Sequence, residues 1–175
     1  MTTIVALDFE TADPGRDSAC AIGMVRVVDG RLAERHVTLI RPPRPQMYYT
    51  HIHGLTWGMV ADAPPFAAAW PDIAAFLDGA DFLAAHNAGF DRAVMAGCCA
   101  AAGVEAPAQP YLCTVKLARA AWDIRPTRLP DVCRYLAIPL NHHDAGSDAA
   151  ACAQIVADAL TDGIDITRGL LAPRG

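Results

Sequence analysis

Asp8 and Glu10 stand two residues apart at the end of the apolar run Ile4-Val5-Ala6-Leu7. In a strand, positions i and i+2 point to one face, so these carboxylates lie side by side. Side-by-side carboxylates repel, and near a core they also lose hydration. Such a pair persists when it shares a proton or binds a cation. Two more acids occupy comparable positions. From Asp91, helical spacing reaches Val94, Met95, Cys98 and Cys99; from Asp148 it reaches Ala151, Cys152, Ile155 and Val156. Each acid therefore heads the apolar stripe of an amphipathic helix. An acid in a first helical turn is favoured by the helix dipole alone, which accounts for either residue separately but not for the coincidence. Four clustered carboxylates need cations to be tolerable. Oxygen-only donors suit hard ions such as Mg²⁺ or Mn²⁺, and two such ions about 4 Å apart form a clamp for phosphoryl transfer. His143 lies five residues before Asp148, and its neighbour His142 competes with it. The spacing favours His143 as the imidazole that could take a proton from water there.

The elements that must position these groups follow from periodicity and punctuation. Strands are predicted over Ile4–Phe9, Cys20–Val28 and Leu32–Ile40, the last two joined by the hairpin signal Asp29-Gly30. Arg41-Pro42-Pro43-Arg44-Pro45 stops the third strand, and a loop carrying His51-Ile52-His53-Gly54-Leu55-Thr56 follows. A helix opens at Pro64-Pro65 and runs to Leu77. Then come a strand at Phe82–Ala85, a helix over Ala88–Ala102 and a strand at Tyr111–Cys113. A helix capped by Thr114 runs to Trp122, another spans Leu129–Leu136, and the last is capped by Ser147 and runs to Leu160. The order β-β-β-α-β-α-β-α-α-α predicts an α/β architecture, a mixed sheet of five strands flanked by helices. The tail from Gly163 has no clear pattern.

The 175 residues suit one domain with a sizeable core. No apolar run approaches the roughly 20 residues of a membrane span, and the N-terminus lacks a basic region of the signal-peptide kind, so a cytoplasmic protein without membrane association is expected. Six cysteines lack CxxC spacing and sit in apolar stretches, which reads as small buried hydrophobes. The net charge is −5 and Lys116 is the sole lysine. That argues against a broad electrostatic grip on nucleic acid, though not against holding a few nucleotides at a cation site. Arg41, Arg44, Arg92, Arg125 and Arg128 are the candidate phosphate contacts.

Three motifs carry a family resemblance. Asp8-Phe9-Glu10-Thr11 resembles a D-x-E-T at the end of a first strand, His86-Asn87-Ala88-Gly89-Phe90-Asp91 an H-N-x-x-F-D, and His143-Asp144-Ala145-Gly146-Ser147-Asp148 an H-x4-D. In this order they resemble the DEDDh exonucleases of ribonuclease H-like fold, which include the proofreading epsilon subunit of bacterial DNA polymerase III, RNase T and oligoribonuclease. The likeness is strongest to stand-alone epsilon-like enzymes and covers about residues 3–160. Supporting stretches are His53-Gly54-Leu55-Thr56, Cys113-Thr114-Val115-Lys116-Leu117-Ala118-Arg119 and Leu136-Ala137-Ile138-Pro139-Leu140. The resemblance implies 3′→5′ hydrolysis of single-stranded DNA or RNA ends, releasing nucleoside 5′-monophosphates. Asp8, Glu10, Asp91 and Asp148 would hold two divalent cations, Mg²⁺ or Mn²⁺, and His143 would be the general base. One ion would lower the pKa of the attacking water and the other would stabilise the leaving 3′ oxygen. Phe9, Thr11 and His53 would meet the terminal nucleotide, and Asn87 is a further substrate-binding candidate. The alternatives are a solvated loop residue for His53 and a helix N-cap for Asn87; Phe90 reads as core more readily than as a stacking platform.

The chain departs from many relatives in two places. An E-I-G element reads Ala21-Ile22-Gly23 here, and Phe9 stands where Thr is common. There is also no room for the polymerase-binding segment of the epsilon subunit, which implies a stand-alone enzyme, with a DNA polymerase or repair complex as partner only through another surface. Monomer and homodimer are both open. The competing readings are a non-catalytic nucleic-acid- or protein-binding module on the same fold, and a metal-dependent phosphatase or endonuclease-like hydrolase.

Overall fold

The computed structural model describes residues 1–172. Strand β1 (Thr3–Thr11) is central, with its apolar run buried on both faces. It pairs antiparallel with β2 (Ala19–Val28) and parallel with β4 (Phe82–Ala85). Beyond β2 lies β3 (Arg31–Leu39), antiparallel, and beyond β4 lies β5 (Tyr111–Cys113), parallel, giving the order β3-β2-β1-β4-β5. This is the predicted mixed five-stranded sheet. Asp29 and Gly30 both adopt positive φ, 47° and 77°, the geometry of a two-residue hairpin turn whose twist matches the strands it joins.

Helices cover both faces. Between β3 and β4 come α1 (Thr50–His53), α2 (Trp57–Val60) and α3 (Phe66–Leu77). After β4 comes α4 (Gly89–Ala102); after β5 come α5 (Thr114–Trp122), α6 (Leu129–Leu136) and α7 (Ala145–Thr161). Residues of α3 and α4 pack on one face of the sheet around Leu7, Met24 and Leu83. Residues of α5, α6 and α7 pack on the other around Ile4, Val25 and Leu112. All six cysteines are free and buried among these layers.

Several expectations need correction. The two single-turn helices α1 and α2 lie where a plain loop was expected, and the tail carries a 3₁₀ turn over Ile166–Gly169. Leu170 bridges to Leu112 across the outer edge of β5; the final residues, 173–175, lie outside the described residues. Neither Thr114 nor Ser147 is an N-cap. Thr114 is already in α5, and its hydroxyl pairs with His86 at 2.8 Å. Asp144 caps α7, its carboxylate accepting from the Ser147 amide at 2.8 Å, while the Ser147 hydroxyl accepts from the Asn141 amide at 2.8 Å. Among the described residues, no helix is long and apolar enough to cross a membrane.

One glycine decides how α7 meets the sheet. Gly23 in β2 pairs with Asp8 in β1, and a Cβ on it would lie 2.0 Å from the Ala145 carbonyl oxygen. Its missing side chain lets the first turn of α7 settle on the sheet beside the tip of β1.

Candidate active site

The tip of β1 and the first turns of α4 and α7 converge. Asp8 and Glu10 project from β1, Asp91 stands in the first turn of α4, and Asp148 in the first turn of α7. Oxygens of Asp8, Glu10 and Asp148 lie within 4.8 Å of one another. Asp91 sits deeper, 2% exposed, and its Oδ1 accepts from the Phe9 amide at 3.1 Å. That bond ties the start of α4 to the strand carrying the other two acids.

The electrostatics are those of a site short of positive charge. Burial, then repulsion from Asp91, Asp148 and Glu10, raises the Asp8 pKa well above the usual carboxylate range. Burial, then Asp148 and Asp91, pushes Glu10 up to about 8. Burial raises Asp91 as well, against the amide of Phe9. Burial also raises Asp148, although the His143 amide and His142 partly offset it. The Asp148 Oδ1 atom is buried without a hydrogen-bond partner among the described residues. Orphaned buried oxygen beside two more carboxylates in an all-oxygen set is the donor chemistry that hard divalent cations require. The residues present fit such ions.

Both histidines of the loop before α7 reach Asp148. The His142 ring bonds its Oδ2 at 3.0 Å through Nδ1, and the His143 backbone amide donates to the same oxygen at 3.1 Å. The rings stack, with centroids 3.7 Å apart. His143 holds a left-handed backbone, φ 69°, and burial followed by repulsion from His142 lowers its pKa, so the ring is neutral at pH 7. Its ring nitrogens have no hydrogen-bond partner among the described residues, whereas Nδ1 of His142 is spent on Asp148.

These groups open onto a cavity of about 470 Å³ lined by the acids Asp8, Glu10 and Asp148 and by Phe9, Thr11, His53, His142 and His143. Phe9 is 3% exposed and Thr11 6%, so both contribute only an edge. His53 is not a solvated loop residue. Its Nε2 donates to the Thr11 carbonyl at 3.1 Å and its Nδ1 accepts from the Leu55 amide at 3.0 Å, which anchors α1 to the end of β1. Asn87 is absent from the lining and does not cap α4. Ala88 holds the cap position, while Asn87 takes a left-handed turn with φ 66°. Phe90, expected in the core, is 36% exposed and forms part of the cavity wall. Tyr49, Ile52, His86, Arg128 and Leu129 also line it; of these, His86 opens the second motif and Arg128 is one of the candidate phosphate contacts, while Tyr49, Ile52 and Leu129 carry no chemical signal in the sequence.

The comparisons with known proteins agree with this geometry. Residues 5–156 match the RNase T exonuclease family. The chain is 33% identical over 158 residues to a PolC-type DNA polymerase III of Thermotoga petrophila, covering 87% of this chain and 11% of that protein. It is 37% identical over 103 residues to exodeoxyribonuclease 10 of Escherichia coli K12, covering 58% of this chain and 40% of that one. The chain thus spans about a tenth of the length of the polymerase. Among solved structures, exonuclease X in complex with 5′-overhanging duplex DNA aligns at TM-score 0.73 and 26% identity over 97% of each chain. The five-stranded sheet and its flanking helices are ribonuclease H-like, and the chain belongs to the RNase T family of exonucleases.

Proposed function

We propose that this domain is a DEDDh-type 3′→5′ exonuclease that releases nucleoside 5′-monophosphates from single-stranded DNA or RNA ends. The observation that carries the reading is the unpartnered buried oxygen of Asp148 beside Asp8 and Glu10. Asp8, Glu10, Asp91 and Asp148 would hold two divalent cations, Mg²⁺ or Mn²⁺. When bound, such ions supply the positive charge that the scissile phosphate and the leaving oxygen require. His143 is the general base. Its neutral ring faces the cavity with both nitrogens available, and it takes the proton as the water oxygen attacks phosphorus. The P–O3′ bond breaks, and the departing 3′ oxygen is protonated from solvent. Thr11 and Phe9 edge the cavity where the terminal nucleoside would lie, and Phe90 extends that wall. His53 acts through Thr11, fixing the end of β1, and Asn87 stands outside the cavity lining. Association with a DNA polymerase is consistent with the PolC relative, and binding of DNA ends with the exonuclease X complex.

The test is digestion of end-labelled single-stranded DNA and RNA with Mn²⁺ or Mg²⁺. Mononucleotide products released progressively from the 3′ end are expected. Asp8→Ala should abolish them, and His143→Ala should lower kcat by roughly 10²–10⁴-fold, with His142→Ala lowering it less. Nucleic-acid binding without turnover would mark a non-catalytic module instead, and inorganic phosphate as product would mark a phosphatase.

A further inference from the structure

Five arginines could meet phosphate on sequence grounds; each has a polar partner, and four of them lie outside the cavity. Arg44 is locked between Asp13 and Asp17 at 2.7 and 2.6 Å. Arg92 donates to the Ala172 carbonyl at 2.8 Å, Arg41 to that of Ala61 at 3.4 Å, and Arg125 pairs with Asp123 at 3.3 Å. Arg128 alone of the five lines the cavity, and it is the one permanent cation among the lining residues.

Its surroundings present it. Thr127 on one side is 6% exposed and Leu129 on the other is 4% exposed, while the Arg128 side chain is 78% exposed. The Thr127 carbonyl accepts from His86 Nε2 at 3.0 Å, and its hydroxyl accepts from Arg119 Nε at 2.7 Å. The backbone around Arg128 is thereby pinned to the end of β4 and to α5. The guanidinium rests on Asp131 through Nε at 2.8 Å and Nη2 at 3.4 Å, and Asp131 also takes Arg134 at 3.2 Å. The Arg128 side chain is 78% exposed although its carboxylate partner is only 10% exposed, so water competes for the arginine, and Arg134 can keep Asp131 partnered when Arg128 turns to another anion. A phosphate diester is such an anion, matched to the guanidinium fork.

On the exonuclease reading the scissile phosphate would lie with the acids, where bound cations would balance it. The phosphate next along the strand would have no permanent cation other than Arg128 among the described lining residues. We propose that Arg128 grips the phosphate one linkage upstream of the scissile one, so that the site prefers polynucleotide ends to the diester of a lone terminal nucleotide. This rests on the exonuclease reading above.

The test compares the wild type with Arg128→Ala, with Mn²⁺, on the thymidine dinucleotide TpT, the trinucleotide TpTpT, and TpTpT with a neutral methylphosphonate at its first linkage. Only the trinucleotide carries a charged upstream phosphate. Arg128→Ala should raise KM for TpTpT about tenfold, the loss of one charge-assisted contact, and leave TpT unchanged. The methylphosphonate should raise the wild-type KM to a similar degree and remove the effect of the substitution. An unchanged thermal transition would exclude unfolding of the variant as the cause. If the wild type cleaves both substrates and the substitution changes neither, or both equally, the Arg128 contact is wrong and the exonuclease reading stands. If the wild type cleaves neither, the exonuclease reading fails and takes the contact with it.

Discussion

His86 uses both ring nitrogens in its neutral form, donating from Nε2 to the Thr127 carbonyl and accepting at Nδ1 from the Thr114 hydroxyl. Burial lowers its pKa from 6.5 to about 4, more than the Thr127 bond raises it. Protons therefore bind the unfolded chain more readily between those values. The stabilising contribution is complete above pH 6.5 and is lost as pH falls toward 4, with a span of about 3 kcal/mol. Urea unfolding at pH 7 through 4 should show the wild type losing about that much more than His86→Gln, a comparison in which the acid cluster cancels. Parallel curves for the two proteins would refute the assignment. At this scale the sequence was most legible where it broke its own pattern. Asp91 and Asp148 sit on apolar stripes, and Asp8 and Glu10 end an apolar run, so each violates the rule that surrounds it. Phe90 broke no rule, because a phenylalanine in a first turn looks like core until the neighbouring elements leave it half uncovered.

The approach of α7 to β2 is the contact between elements on which the site most depends. Asp148 reaches Asp8 and Glu10 because Ala145 rests against Gly23. Gly23→Ala would drive a methyl group into backbone, which cannot rotate away as a side chain can. We expect a destabilisation of about 2–3 kcal/mol from such overpacking and a loss of turnover beyond what reduced folding explains. Thermal unfolding and kcat per folded molecule would measure the two effects separately, and a variant of full activity would show that α7 tolerates displacement. Strands and long helices were legible because their periods repeat several times. Helices α1 and α2 span 4 residues each, too few for a period to declare itself. The cap of α7 was misread because Asp144 and Ser147 are both good caps three residues apart, and only the direction of their mutual bond distinguishes them.

Across the whole molecule, the carboxylate cluster makes stability depend on pH and on cations together. Folded-state carboxyls raised above their unfolded values bind protons that the unfolded chain has released, so the cluster withdraws stability from the metal-free protein as pH rises from about 4 toward the Glu10 value of about 8, opposed below pH 6.5 by His86. Tm without divalent ions should therefore fall between pH 6.5 and pH 8, above the range in which His86 titrates. Mn²⁺ should restore it at pH 8 by roughly 5–10 °C at a hundredfold excess over its Kd, and by much less at pH 5, where protons occupy the same oxygens. Equal stabilisation at both pH values would argue that the ion binds elsewhere. The architecture and the place of the four acids were legible in the chain because motif spacing and strand order constrain each other. The choice between His142 and His143 was less so, since adjacent histidines differ only in where the loop turns. Gly23 adds a consequence of another kind. It has no functional group, yet in a library of random substitutions scored for nuclease activity it would rank with Asp8. Scoring abundance in the same library should separate them: Asp8 variants are expected to keep the protein and lose the chemistry, and Gly23 variants to lose both.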